Sequence, residues 1–312
     1  MTHRHHQQQH HLAGMRYAIA GYAIITVFDV ILKLVSKQGY PQLQMMATVG
    51  VFCALTVALV ALCNGGLRRL ATQKPKFQIL RGLIGLVAFL CGFYAIRAIP
   101  LVDFYGIIFA IPILITILSV FWLKEHVGRA RWAAVGCGFI GVTIMLRAGT
   151  TQAATAAEHL GYFAALGCAL FNAVATIMVR RYGRQESNLT FSFYAALCNL
   201  TVTGSACLWL GLWQPYTLLD WGMMALAGIL VGVSSIFLMT AYQHSPPAAI
   251  VPFQYTQLIW GAIYGYLLFQ DIPAFLSLVG AGIVIASGWV VLWREARLAR
   301  ALKNAAHTIH LN

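Results

Sequence analysis

Long apolar runs separated by short polar clusters divide this chain into ten segments. A helix needs about 20 residues to cross a hydrocarbon core of roughly 30 Å. With that ruler the runs predict spans near 17–35, 43–63, 78–97, 101–122, 132–147, 160–180, 190–211, 221–243, 248–269 and 274–293. The connections Ala98–Pro100 and His244–Pro247 are very tight. Proline suits such corners, because it starts a helix well and discourages helix in the residue before it. Pro112 and Pro252 fall inside the fourth and ninth spans and predict bends there.

Composition fixes the solvent. The 312 residues are 60% hydrophobic and 9% charged, where a soluble domain carries roughly a quarter charged residues. In lipid each backbone amide must be satisfied internally, which leaves helices or a closed barrel. A barrel shows short segments of alternating polarity, whereas this chain has continuous runs such as Leu101 to Phe121 and Ala225 to Ala241. The expected fold is an all-α membrane protein of ten transmembrane helices. The seven cysteines lie in or beside apolar runs, without C-x-x-C pairs or metal spacing, and read as packing residues. The first apolar run, beginning near Tyr17, lacks a cleavage site and is expected to remain as a span.

Charge sets the orientation. A net +13 suggests nucleic acid, but the basic residues sit in clusters between apolar runs, as in cytoplasmic loops beside anionic lipid. With the N-terminus inside, seventeen basic residues fall on inner segments, among them Arg68, Arg69, Lys74, Lys76 and Arg81. Four, Lys33, Lys37, Arg97 and Arg147, fall on outer ends. This bias predicts both termini in the cytoplasm of a bacterial inner membrane. Membrane lipid and a small-molecule substrate are the expected partners. Nucleic acid is not one, and a homodimer is left open.

The halves repeat. An offset of 146 places Ala95 on Ala241, Pro100 on Pro246, Ile113 on Ile259, Gly136 on Gly282 and Glu125 on Asp271. An offset of 143 places Phe28-Asp29 on Phe171-Asn172 and Lys37 on Arg180. Five spans per half means that the second half enters the membrane from the opposite side. Inverted repeats recur in secondary transporters, with a substrate site near the midplane. The predicted division is a cytoplasmic His-rich tail at 1–16, five-helix repeats at 17–147 and 160–293, a periplasmic linker at 148–159 and a basic cytoplasmic tail at 294–312.

Arg97-Ala-Ile-Pro100, Phe121-Trp-Leu-Lys-Glu125 and Gly136-Cys-Gly-Phe-Ile-Gly141 resemble the EamA type of the drug/metabolite transporter superfamily. So do Pro252-Phe-Gln-Tyr-Thr-Gln-Leu-Ile-Trp260, Leu268-Phe-Gln-Asp271 and Ile285-Ala-Ser-Gly288 in the second half. The 252–260 stretch resembles a subgroup that includes S-adenosylmethionine transporters and exporters of opine-type metallophores. The resemblance implies a central cavity between two inverted five-helix halves, with the fifth and tenth spans peripheral. It also makes Glu125 a family feature, answered by the shorter acid Asp271.

Asp29 is the foremost site candidate. It lies ~18 Å along the helix from Tyr17, just past mid-bilayer, where a carboxylate costs about 3 kcal/mol. Lys33 shares its face at i+4. The pair reads as a proton-coupling or substrate-cation site, or as a structural ion pair with lysine snorkelling outward. Asn172 is its uncharged repeat mate. Arg97 and Asp103 flank the corner between spans three and four and read as an interfacial salt bridge, an outer gate or a carboxylate contact for the substrate. Gln254, Tyr255, Gln257 and Trp260 offer amides and an aromatic face for a polar ligand, or bonds between helices. Tyr94, Tyr105, Tyr194, Asn199, Tyr242 and His244 are further polar or aromatic candidates.

Three sharper readings are set aside. Gly136, Gly138 and Gly141 spell G-x-G-x-x-G, but inside an apolar span, where glycine permits close helix packing rather than nucleotide binding. The histidines His3, His5, His6, His10 and His11 are expected in a polar disordered tail, with no metal site. No catalytic motif appears, so neither an enzyme nor a cofactor is expected. The function expected is a secondary transporter of a small polar or zwitterionic metabolite, an amino acid or derivative, working by alternating access in the export direction. The alternatives are an uptake carrier for a nucleoside-like metabolite such as S-adenosylmethionine and a non-transporting receptor or assembly protein.

Overall fold

The structure, a computed structural model, describes residues 2–124, 128–149, 155–182, 186–244 and 250–290. Glu125, Arg184, Pro246, Pro247 and the basic tail from Arg294 lie outside the described residues, as do the side chains of Arg180, Tyr242 and His244.

Among the described residues all regular structure is helical. The first half holds α1 (Thr2–Ser36), α2 (Gln42–Cys63), α3 (Pro75–Ala98), α4 (Leu101–Ile108), α5 (Ile111–Leu123) and α6 (Arg129–Gly149). The second holds α7 (Ala156–Tyr182), α8 (Asn188–Trp209), α9 (Leu218–His244), α10 (Thr256–Tyr264) and α11 (Phe275–Val290). Seven segments, with α4 and α5 counted as one, are long and apolar enough to cross a membrane. Trp132–Arg147 and Phe275–Val290 are shorter apolar helices.

Two expectations are corrected. The histidine-rich tail is not disordered, because α1 runs unbroken from Thr2. No glycine or proline interrupts residues 2–12, and a nucleated helix extends at little cost. The ninth span is not one helix. It is a 3-10 turn at Val251–Tyr255, then α10, then a π turn at Gly265–Phe269. Pro252 removes one amide donor at its start. The fourth span breaks likewise between α4 and α5, just before Pro112.

These breaks obey the repeat. Lys124 and Gln270 are the only non-glycine residues with positive φ among the described residues, at 54° and 58°. They are 146 apart and end equivalent segments.

Eight segments form a ring in the order α1, α9, α2, α8, α3, α7, α4–α5 and the 251–269 segment, which returns to α1. Neighbours alternate between halves. Exchanging each segment for its repeat mate returns the same ring, as a two-fold axis requires. α6 and α11 lie outside it. A Cβ on Gly141 would stand 2.9 Å from Val284 Cγ2, and one on Gly138 would stand 2.7 Å from Ser287 Oγ. Val284 is the mate of Gly138 and Ser287 the mate of Gly141, so the contact is reciprocal. The G-x-G-x-x-G stretch thus serves close packing.

Hydrogen bonds join residues 73–78 to Tyr182 and Glu186. Lys74 Nζ donates to the Tyr182 carbonyl at 3.2 Å, and Gln78 Nε2 to Glu186 Oε2 at 3.1 Å. These two connections share one end of the bundle. Residues 36–42, 98–101 and 269–275 form the other.

Candidate functional site

Asp29 and Lys33 do not pair. They lie one turn apart on α1, but each finds a partner on another segment. The Tyr105 hydroxyl of α4 donates to Asp29 Oδ2 at 2.8 Å. The Tyr105 ring lies against Gly261 of α10, where only a residue without Cβ fits. Asp29 is 6% exposed, and no basic side chain pairs with it among the described residues. It is a lone carboxyl held by one phenol among apolar helices.

Lys33 does not snorkel outward. Its Nζ donates to Asp271 Oδ2 at 2.7 Å and to the Ile99 carbonyl at 2.9 Å. It also stands 4.9 Å over the Phe269 ring, with Lys37 at 4.6 Å from the same ring. This pair links α1 of the first half to the end of the ninth span in the second.

Arg97 and Asp103 do not form the expected salt bridge. Arg97 is exposed, while Asp103 is 2% exposed and accepts a short hydrogen bond from the Tyr162 hydroxyl of α7. Ser277 Oγ of α11 is buried beside it. Asp103–Tyr162 is a second link between halves at the same end as Lys33–Asp271. Nearby, the Tyr40 hydroxyl donates to Asp220 Oδ2 at 2.8 Å, joining the α1–α2 turn to α9.

Asn172 and Thr176 occupy the α7 face opposite the exposed Leu160, Phe163 and Leu170, so they point into the ring. Both are exposed. Asn172 Nδ2 donates to the Cys168 carbonyl at 3.0 Å, and Cys168 lies within electrostatic reach of Asp29. The ring is therefore accessible beyond Asn172 and closed beyond Asp29.

The remaining candidates are more dispersed. Gln257 is buried; Gln254, Trp260 and Tyr94 are half-buried. Trp260 stacks on Tyr264 with centroids 6.3 Å apart. The Tyr255 hydroxyl is buried without a partner and abuts Gly288, so it turns toward α11 on the outside of the ring. Asn199 donates to the Met46 carbonyl at 2.7 Å and fastens α8 to α2. An apolar cavity of about 330 Å³ lies between α2, α8 and α9, lined by Val51, Phe52, Leu208 and Trp221. Its wall offers nothing to a polar ligand. Among the described residues no cluster of metal-ligating side chains occurs.

Sequence comparison matches the EamA-like transporter family twice, over residues 12–147 and 159–293. The chain belongs to that family.

This family member is 27% identical to the S-adenosylmethionine uptake transporter of Rickettsia bellii, over 74% of this chain and 77% of that one. It is 26% identical to the riboflavin transporter of Vibrio cholerae, over 96% and 99%. It is 23% identical to the pseudopaline exporter of Pseudomonas aeruginosa, over 73% and 78%. A solved crystal structure superposes with a TM-score of 0.62 at 17% identity, over 93% of this chain and 99% of that one, and shares the fold. The EamA-like chain is thus a multi-pass membrane protein and not an enzyme, and the relatives named above are transporters.

Proposed function

We propose that this chain is a secondary carrier that exports a small polar or zwitterionic metabolite, an amino acid or derivative, across the bacterial inner membrane by alternating access. One observation carries the reading: two symmetry-related vestibules are in unequal states. Asp29 and Lys33 are 6% and 5% exposed, while their mates at an offset of 143, Asn172 and Thr176, are exposed. Inverted halves that exchange conformations exchange which vestibule is open. Lys33–Asp271 and Asp103–Tyr162 are the clasps of the closed side.

The excess of basic residues on the 68–81, 124–131, 180–184 and 294–303 segments supports placing the open side and both termini in the cytoplasm. The two halves, 17–147 and 160–293, are then joined by a periplasmic linker. Asp29 serves as the coupling carboxyl, with Tyr105 as its hydrogen-bond partner. Asn172, Gln254, Gln257, Trp260 and Tyr94 supply the polar and aromatic groups nearest the substrate path.

A second reading, uptake of a nucleoside-like metabolite such as S-adenosylmethionine, is favoured by the name of the Rickettsia bellii relative. Untargeted metabolomics of cells and medium, comparing deletion with overexpression, separates the two. Export raises a metabolite in the medium and lowers it in cells on overexpression; uptake does the reverse. No change in either compartment, with no flux in proteoliposomes, overturns the carrier reading.

A further inference from the structure

Arg81 lies in the second turn of α3, about 9 Å along the helix from Pro75. It is no loop charge. Its Nη1 donates to the Phe191 carbonyl of α8 at 3.2 Å, and the guanidinium lies 4.8 Å over the Phe191 ring. Among the described residues only one of its five N–H groups is committed. Nε is buried without a partner. No carboxylate pairs with Arg81 among the described residues. The nearby acid Glu186 is engaged instead by Gln78 and by the Gln73 backbone. A half-buried guanidinium without a counterion is expensive inside a helix bundle.

Its direction is equally specific. Arg81 and Gly85 lie on the face of α3 opposite the exposed Ile79, Leu83 and Val87. Gly82 packs on Cys198 of α8 and Gly92 on Cys168 of α7. Arg81 and Gly85 share the stripe of Gly92, eleven and seven residues on, so they lie on the face of α3 turned toward its ring neighbours and away from the exposed Ile79, Leu83 and Val87. A Cβ placed on Gly85 meets no atom within 4 Å among the described residues. In the register set by Gly92 against Cys168, Gly85 lies level with the turn between Asn172 and Thr176. Open space thus adjoins the free donors of Arg81. The repeat mate of Arg81 is Ala227, which is 0% exposed in the closed half, so the feature belongs to the open vestibule alone.

We infer that Arg81 is an entrance site that binds the carboxylate of the transported metabolite. The inference rests on the carrier reading and names its substrate class. A guanidinium presents paired donors that match a carboxylate in a bidentate geometry. Arg81 is eleven residues from Gly92, the level of Cys168 and Asp29, which is ~16 Å. A small zwitterion therefore meets Arg81 and Asp29 in succession, carboxylate first.

The test uses proteoliposomes bearing the full chain, filled with a soluble metabolite extract spiked with S-adenosylmethionine and its decarboxylated counterpart. Efflux is read by mass spectrometry for wild type, Arg81→Lys and Arg81→Gln, each checked for folding by size-exclusion chromatography. The compounds moved by wild type should all carry a carboxylate. Arg81→Gln should slow them about tenfold or more, and Arg81→Lys should raise half-saturation about two- to fivefold while keeping the maximal rate. Equal movement of carboxyl-free compounds, or equal losses of every compound in both variants, overturns the site and leaves the carrier reading standing. Native mass spectrometry showing an anionic phospholipid held by wild type and lost in Arg81→Gln assigns the guanidinium to a headgroup and overturns it too. Movement of no compound by wild type sinks the carrier reading and this site together.

Discussion

The rings of Phe109 and Tyr255 meet edge to face with centroids 4.9 Å apart and planes at 88°. The two residues are 146 apart, the offset that relates the fourth span to the ninth. A residue that touches its own repeat mate must lie beside the two-fold axis. The axis therefore runs between the breaks in these two segments, where helix gives way to tighter or looser turns. A double-mutant cycle on Phe109→Ala and Tyr255→Ala should report a coupling of about 1 kcal/mol in thermal unfolding in detergent. Tyr255→Phe, which removes a buried hydroxyl without a partner, should be neutral or mildly stabilising.

Asp29 should govern the pH response of transport. Its carboxyl has one phenolic partner and, among the described residues, no cation. Asp29→Asn should lower proton-driven flux in proteoliposomes about tenfold or more and flatten its dependence on pH. Tyr105→Phe, which removes the hydrogen bond and keeps the ring against Gly261, should shift that dependence without abolishing it. An unaltered pH profile in Asp29→Asn would remove the carboxyl from the coupling step.

The Lys33–Asp271 clasp should hold one end shut. In a cysteine-free background, Ser277→Cys should resist a membrane-impermeant thiol reagent and become reactive when Lys33→Met is added. Breaking this half-buried pair leaves one charge uncompensated, so unfolding stability should fall by about 1–3 kcal/mol. The exchange Lys33→Asp with Asp271→Lys should recover part of both effects.

The α6–α11 contact should tolerate no added bulk. A Cβ on Gly141 would stand 2.8 Å from the Gly280 carbonyl. Gly141→Ala should cost about 1–3 kcal/mol. Gly141→Leu should abolish well-folded protein in fluorescence-detected size-exclusion chromatography. Gly136→Ala, where a Cβ meets nothing within 4 Å among the described residues, should be nearly silent.

Much of the architecture was legible because lipid imposes long apolar runs, and seven segments of the structure are long and apolar enough to cross a membrane. The repeat was legible because Ala95, Pro100 and Gly136 kept their mates. The partner of Lys33 was not. Local spacing favours Asp29 at i−4, but Asp29 is taken by Tyr105 and Asp271 arrives from 238 residues away. Arg81 escaped notice for a related reason. It follows Lys74 and Lys76 and so counts with loop charges, although the second turn of α3 carries it inside. Separating them from sequence needs knowledge of which face of α3 meets α7 and α8.

Because the eight staves of the ring are drawn alternately from the two halves, neither half encloses anything by itself. A half-length chain would be an open trough of unmated helices, and severing the backbone near residue 152 should leave a working protein only when both fragments are made in the same cell. An ancestor with one such half would have worked as an antiparallel pair, and gene fusion would then have freed the two copies to diverge into a charged face and an uncharged one.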